Sequence, residues 1–503
     1  MNVISRRAFL RGAGSLVGLS ALGADRWLAA GREGFGTALA GPRAAAAESL
    51  IPLFAEAVAE LEKTFSYASV LFTEGDGISM ARDRNGKQVS FSPFRGHGLS
   101  IRVWDGESFH EVASDDLSGD GIRAAVLQLR RDVAPKKERY RIEPLSPRVG
   151  EWKTEMRIDP ASLSLEERAG MLDAEFERVN WDEPRVRSAR VSTDESRVRR
   201  IFVDRNRRLA SETVQISHGS FMFGFDAGRP AAGFMRHIRQ GGYETARFSD
   251  ADIETMRAEM VELFGAERVP AGEYDAIFAP PVTGLLAHES FGHGVEMDLF
   301  VKDRAKAREF IGKQVASTIV SLSDDPSIPG ERGSYPFDDE GMLAQPTRVI
   351  ERGIFVSPIT DLMSATYLAR PRTPNGRVQS FDRKAYARMS NTFIERGETD
   401  PAEMLAGLAD GLYIDGFRNG IEDPQGWGIQ FTAQRAREVK NGKFTGKVFT
   451  PITVSGYVPE ILGNITQVGN DFEITPGSCG KGFKEFVPVG SGGPHIRTRA
   501  RVS

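Results

Sequence analysis

Two histidines and a glutamate open the chemistry of this chain, in the segment Ala287-His288-Glu289-Ser290-Phe291-Gly292-His293-Gly294-Val295-Glu296. Imidazoles placed near one carboxylate suit a metal ion with a general base beside it. In the common zinc-hydrolase pattern the histidines stand four apart, so one helical turn brings both to the same face. Here they stand five apart, and on an ideal helix that spacing separates them by about 140°. Both reach one metal only if the helix bulges or unwinds locally, and Gly292 is where such a distortion costs least. A catalytic zinc site also needs a third protein ligand and an open position. The other five histidines (His97, His110, His218, His237 and His495) lie in segments without ligand spacing. Cys479, the one cysteine, is the stronger candidate, because glycines flank it in Pro476-Gly477-Ser478-Cys479-Gly480-Lys481-Gly482. Zinc favours thiolate and imidazole ligands, and glycines leave room for the backbone to approach closely.

The expected chemistry is then zinc held by His288, His293 and Cys479, with Glu289 taking a proton from water and passing it to a leaving amine. Glu296 has two readings: a partner that orients a histidine ring, or a charge on a helix surface. A lone cysteine rules out an intrachain disulfide, so the fold does not rest on one.

These residues need elements to position them. At 503 residues the chain exceeds one ordinary core. The expected organisation is an N-terminal extension over 1–47, an α/β domain over 48–245, and a mostly β domain with embedded helices over 246–503, an α+β chain overall. Helices are expected over 48–65, where Leu50, Phe54, Val58 and Leu61 share a face, and over 121–132 and 249–264. Ser164 with Glu167 makes a capping box ahead of another helix reaching Val179. Alternating strands are expected over 67–114 and 186–225, the latter folding back at Asp204-Arg205-Asn206-Arg207. Gly228-Arg229-Pro230-Ala231-Ala232-Gly233 reads as a boundary segment.

The N-terminus reads Ser5-Arg6-Arg7-Ala8-Phe9-Leu10-Arg11, followed by a weakly apolar run to Gly23. Paired arginines ahead of a mild apolar segment match a twin-arginine export signal, with cleavage after Ala40 or Ala47. No later run approaches the ~18 apolar residues of a membrane span, so a soluble periplasmic or extracellular protein without stable membrane insertion is expected. The net charge of −4 gives no basis for nucleic-acid binding.

The same residues resemble the TldD/PmbA family of zinc peptidases. The His-Glu-x-x-x-His stretch with its following glycine and acidic residue is similar to that family's metal segment. Gly477-Ser478-Cys479-Gly480-Lys481 resembles its glycine-bounded cysteine, and Arg388-Met389-Ser390-Asn391-Thr392 its Arg-Met-x-Asn-Thr segment. The ending Val487-Pro488-Val489-Gly490 followed by Pro494-His495-Ile496-Arg497 also fits. The chief departures are the export signal and the stretch Gly480–Lys484. The resemblance implies an active, TldD-like peptidase subunit, working as a homodimer or as a heterodimer with a family relative. Accessible edges of a β-rich domain, able to bind peptide by strand addition, suit unfolded or short peptides as its substrates. Asn391 and Thr392 stand as markers suited to pairing an irregular turn or an extended substrate. His495 and Arg497 are placed either against the peptide or in a structural C-terminal strand. Two rival readings stay open: a non-catalytic zinc-binding scaffold or partner subunit, and a hydrolase of another amide such as a cell-wall bond.

Overall fold

The computed structural model describes residues 48–91, 96–481 and 485–503. The expected twin-arginine segment and both cleavage sites lie outside them. No helix among the described residues is long and apolar enough to cross a membrane.

Alternation of apolar and polar residues builds the first sheet, which has eight strands. Its central order is Phe109–Ser114, His97–Trp104, Tyr67–Asp83, Val186–Asp204, Arg207–Asp226 and Arg148–Lys153. Gly86–Phe91 pairs with Tyr67–Asp83, and Arg229–Gln240 with Arg207–Asp226. The turn at 204–207 forms because Asp204 Oδ1 accepts the backbone N–H groups of Asn206 (2.7 Å) and Arg207 (2.6 Å). The segment Gly228–Gly233 is not a linker: Ala227 and Gly228 make a hairpin turn, and Arg229 onward pairs back along the preceding strand. Glycine and proline mark a reversal there, not a boundary.

Four helices cover this sheet. Ile51–Leu61 buries Phe54, Ala57, Val58 and Leu61, and Gly119–Asp132 starts where Ser118 caps Gly121 N–H. Leu165–Val179 carries the full Ser164/Glu167 capping box, and Asp250–Phe264 a second one from Ser249 and Asp252. The last two bury Leu172, Phe176, Ile253, Met256 and Met260 in one core with Val191, Ile216 and Met222 of the sheet. Asp250–Phe264 thus packs with the first sheet, although it follows residue 245. Residues 51–503 cluster as one compact unit.

The remaining chain forms two further main sheets. One follows the order Asp410–Asp423, Gly272–Phe278, Ile496–Val502, Ile452–Tyr457, Gly428–Lys440 and Lys443–Phe449. Because Asp410–Asp423 also pairs with Gly428–Lys440, five of these strands close a circuit. The other sheet runs Ile354–Phe355, Thr347–Glu351, Leu322–Asp324, Asn391–Ile394, Glu485–Gly493 and Glu473–Lys481. Between them lies the helix Pro280–Phe291, which packs against Asp410–Asp423, Asn391–Ile394 and Glu485–Gly493. Its residues from Val282 to Phe291 are all buried, including the polar Thr283, His288, Glu289 and Ser290, because elements of both sheets enclose it. The whole is a mixed α+β fold.

Candidate metal centre

Pro280–Phe291 delivers His288 and Glu289 from its last turn. The helix ends at Phe291, and His293–Val295 turn as a short 3-10 helix. Gly292 joins the two with φ −87° and ψ −75°. A Cβ at Gly292 would lie 2.0 Å from Met389 Sδ and 2.3 Å from the His288 carbonyl oxygen, so a side chain there has no room. This tightened step after the helix rotates His293 toward His288; their rings stand 5.1 Å apart, centroid to centroid, at 88°.

Cys479 arrives from the edge strand Glu473–Lys481, opposite Val487. The ligand atoms of His288, His293 and Cys479 all lie within 4.8 Å of one another. Cys479 Sγ is 3.3 Å from His293 Nε2. Thiolate and imidazole ligands of one tetrahedral zinc would stand about 3.6 Å apart, given bond lengths of ~2.3 and ~2.0 Å. The three residues therefore fit a metal ion of that kind.

Charged groups crowd the back of the triad. Glu296 Oε2 is 3.1 Å from His293 Nδ1, leaving Nε2 toward the thiol. Arg388 Nη2 donates to the Cys479 carbonyl oxygen at 2.8 Å and to its sulfur at 3.2 Å, and Arg388 Nε lies 3.3 Å from Glu296 Oε1. Lys481 Nζ is 3.1 Å from Glu296 and also pairs with Asp298. Burial opposes ionisation of Cys479, but the charges of His293 and Arg388 outweigh it and hold the thiol well below its usual pKa. His293 likewise loses by burial and gains more from Cys479 and Glu296, so it stays protonated well above the usual imidazole range. The thiolate–imidazolium pair is stored charge that a cation can take over, displacing the proton.

Glu289 is 6% exposed, and burial raises its pKa against the pull of His288 and His293. Its neighbour across the site is Gly420, where a Cβ would fall 2.5 Å from Glu289 Oε1. A cavity of about 590 Å³ opens over the triad, within the range of small-ligand sites. Its lining includes His288, Glu289, His293, Glu296 and Cys479 on one side and residues 417–422 on the other. Glu422 also faces it; burial is the main cause that pushes its pKa up to about 8, with Glu296 and Glu289 adding to it.

Asn391 and His495 are absent from this lining. Asn391 is fully buried and donates from Nδ2 to the Asp325 carbonyl (2.8 Å) and Ser334 Oγ (2.9 Å). His495 spends its ring nitrogens on Tyr413 Oη (2.8 Å) and Asp471 (2.7 Å). Arg497 pairs with Asp275. Sequence reasoning did not single out Gly420 or Glu422, which have no motif spacing, and saw Arg388 and Lys481 only as members of family-like segments. The Arg388–Thr392 segment has a clear anchor: buried Asp324 accepts from Ser390 N–H (2.9 Å), Ser390 Oγ (2.6 Å) and Thr392 Oγ1 (2.7 Å).

Comparison with known proteins places this geometry. Residues 271–502 match the model of the PmbA/TldA metallopeptidase C-terminal domain. The metalloprotease MJ0996 of Methanocaldococcus jannaschii is 27% identical over 465 residues, covering 89% of this chain and 99% of that protein. A metalloprotease of Archaeoglobus fulgidus is 30% identical over 363 residues, covering 70% of this chain and 81% of that one. The crystal structure of TldE from Thermococcus kodakarensis shares the fold, with a TM-score of 0.64 at 16% identity over 90% of this chain and 99% of that one. The histidine–glutamate helix, the facing cysteine and a likeness that runs through both parts of the chain have one explanation: the protein belongs to the PmbA/TldD family of metallopeptidases.

Proposed function

We propose that this metallopeptidase is a zinc enzyme that hydrolyses peptide bonds in unfolded or short peptides. The observation that carries the reading is the convergence of His288, His293 and Cys479 within 4.8 Å, with buried Glu289 beside them under an open cavity. His293 Nε2 and the Cys479 thiolate, with His288, would hold the ion. Zinc supplies Lewis acidity, polarising the scissile carbonyl and acidifying a water. Glu289 takes the water's proton on its carboxylate as the oxygen attacks the carbonyl carbon. It returns a proton to the amine nitrogen as the C–N bond breaks. The raised pKa of Glu289 suits both halves of that transfer. Arg388 and Glu296 keep Cys479 and His293 aligned from behind the triad.

The strand Asp410–Asp423 supports the preference for extended peptides. Its pairing with Gly272–Phe278 covers only Leu412 to Ile414. From Phe417 to Glu422 it pairs with Gly428–Lys440 along one edge, while the same residues line the cavity. An extended peptide can add to such an edge through main-chain hydrogen bonds, which a folded protein cannot offer. Hydrolysis of a tightly folded substrate at the rate of its unfolded form would count against this.

The test compares zinc content and peptide hydrolysis in the wild type, His293→Ala, Cys479→Ala and Glu289→Gln. About one zinc per chain is expected, lost in the first two variants. Glu289→Gln keeps the metal and loses turnover by ~10²–10⁴-fold. A zinc-loaded wild type that cleaves no peptide would return the weight to a scaffold, or to hydrolysis of another amide.

A further inference from the structure

Two basic side chains line the cavity over the triad, Arg418 and Lys481. Lys481 is already neutralised by Glu296 and Asp298. Arg418 has no ion pair and no hydrogen bond among the described residues. It sits where the pairing of Asp410–Asp423 with Gly428–Lys440 shifts register, between Phe417 and Asn419. A bulge of this kind re-aims a side chain and is common beside active sites. Its surroundings are partly apolar: Phe417 is 37%, Phe486 57% and Ile421 67% exposed along the same lining.

We propose that Arg418 determines substrate specificity by binding a carboxylate that lies within about two residues of the scissile bond. The inference rests on the peptidase reading above. Glu289, the proton carrier, contacts Gly420, and Arg418 precedes Gly420 by two positions. At ~3.3 Å per residue that is about 6–7 Å along the strand. A peptide extended beside the strand advances at the same rate, so a group two residues from the cleaved bond meets Arg418. The guanidinium fork matches a carboxylate with two parallel hydrogen bonds. Glu422, two positions beyond Gly420 on the other side, offers an anion no cation, so the carboxylate of the substrate lies toward Arg418. Arg418 itself is exposed at the cavity wall, and no carboxylate among the described residues pairs with it.

Two kinds of peptide carry the required group: a chain end with a free C-terminal carboxylate, or a chain with Asp or Glu near the cleaved bond. The experiment uses zinc-loaded full-length protein and five-residue peptides in matched pairs, free acid against C-terminal amide and internal Glu against Gln. Wild type is expected to favour the carboxylate member of at least one pair by about five- to tenfold in kcat/KM, through KM. Arg418→Gln should bring that ratio to about one while leaving hydrolysis of the neutral peptides unchanged. Arg418→Lys should restore part of it. Loss of preference in one pair alone identifies which carboxylate is read. Equal rates in both pairs for wild type, or a preference that survives Arg418→Gln, overturns the proposal. Failure of zinc-loaded wild type to cleave any peptide, neutral ones included, overturns the peptidase reading and the proposal with it.

Discussion

Two strands face each other across the cavity, and they treat their polar groups in opposite ways. Glu473–Lys481, which carries Cys479, has its outward carbonyls already taken: Gly477 by Arg332 Nε at 2.7 Å, and Cys479 by Arg388 Nη2 at 2.8 Å. Asp410–Asp423 presents Arg418 and Glu422 to the cavity without a salt bridge to either among the described residues. One wall is saturated and the other is left open. Saturation suits metal ligands, whose rings and thiolate must not wander. An open wall leaves its polar groups to water, which a ligand can displace.

This contrast can be broken from either side. The largest effect is expected where the walls touch. Gly420→Ala would push a methyl group into Glu289, and kcat should fall by about 10²-fold with zinc content unchanged, because displacing a catalytic group by ~1 Å costs about that much. Steady-state kinetics beside elemental analysis would show it; a fall in zinc instead would move the effect to the ligands. On the saturated wall, Arg388→Lys removes the paired donors on Cys479 while keeping the charge. Zinc affinity, measured by competition with a chelator, should drop by about 10-fold or more. An unchanged affinity would make Arg388 a packing residue.

The smallest effect lies on the open wall. Glu422 titrates near pH 8 in the folded chain, against an ordinary carboxylate value of 4.5. The folded state therefore holds a proton that the unfolded state releases between those two values. Stability falls as pH rises through that window, since the state binding more protons loses with alkali. Glu422→Gln in chelator-treated protein should flatten the decline. It should raise Tm at pH 8 by a few degrees, of the order of 2–4 °C, and change little at pH 4. Parallel pH profiles for variant and wild type would show that Glu422 keeps its ordinary pKa.

Sequence reading reached the saturated wall and missed the open one, for a physical reason. Metal chemistry restricts residue type, so His288, Glu289, His293 and Cys479 stand out even though 186 positions separate the last two. Local rules were equally legible: the Ser164 capping box and the Asp204 turn depend on neighbours three residues away. Gly420 and Arg418 acquire meaning only from what the tertiary fold sets across from them, and no spacing announces it. Gly228–Gly233 misled because a tight hairpin and a linker use the same residues. Asn391 and Thr392 were conspicuous without a visible task, since Asp325 and Asp324, their anchors, sit more than sixty positions upstream.

Cys479 pairs with a strand that ends at Gly493, while the histidine helix is complete two hundred residues earlier. A ribosome-bound chain thus carries both histidines and the glutamate long before it owns the thiolate, or the strand that seats it. Until that last sheet forms, the growing polypeptide lacks the ligand set of a hydrolase. The order of synthesis by itself makes the cysteine the last of the candidate ligands to reach the site.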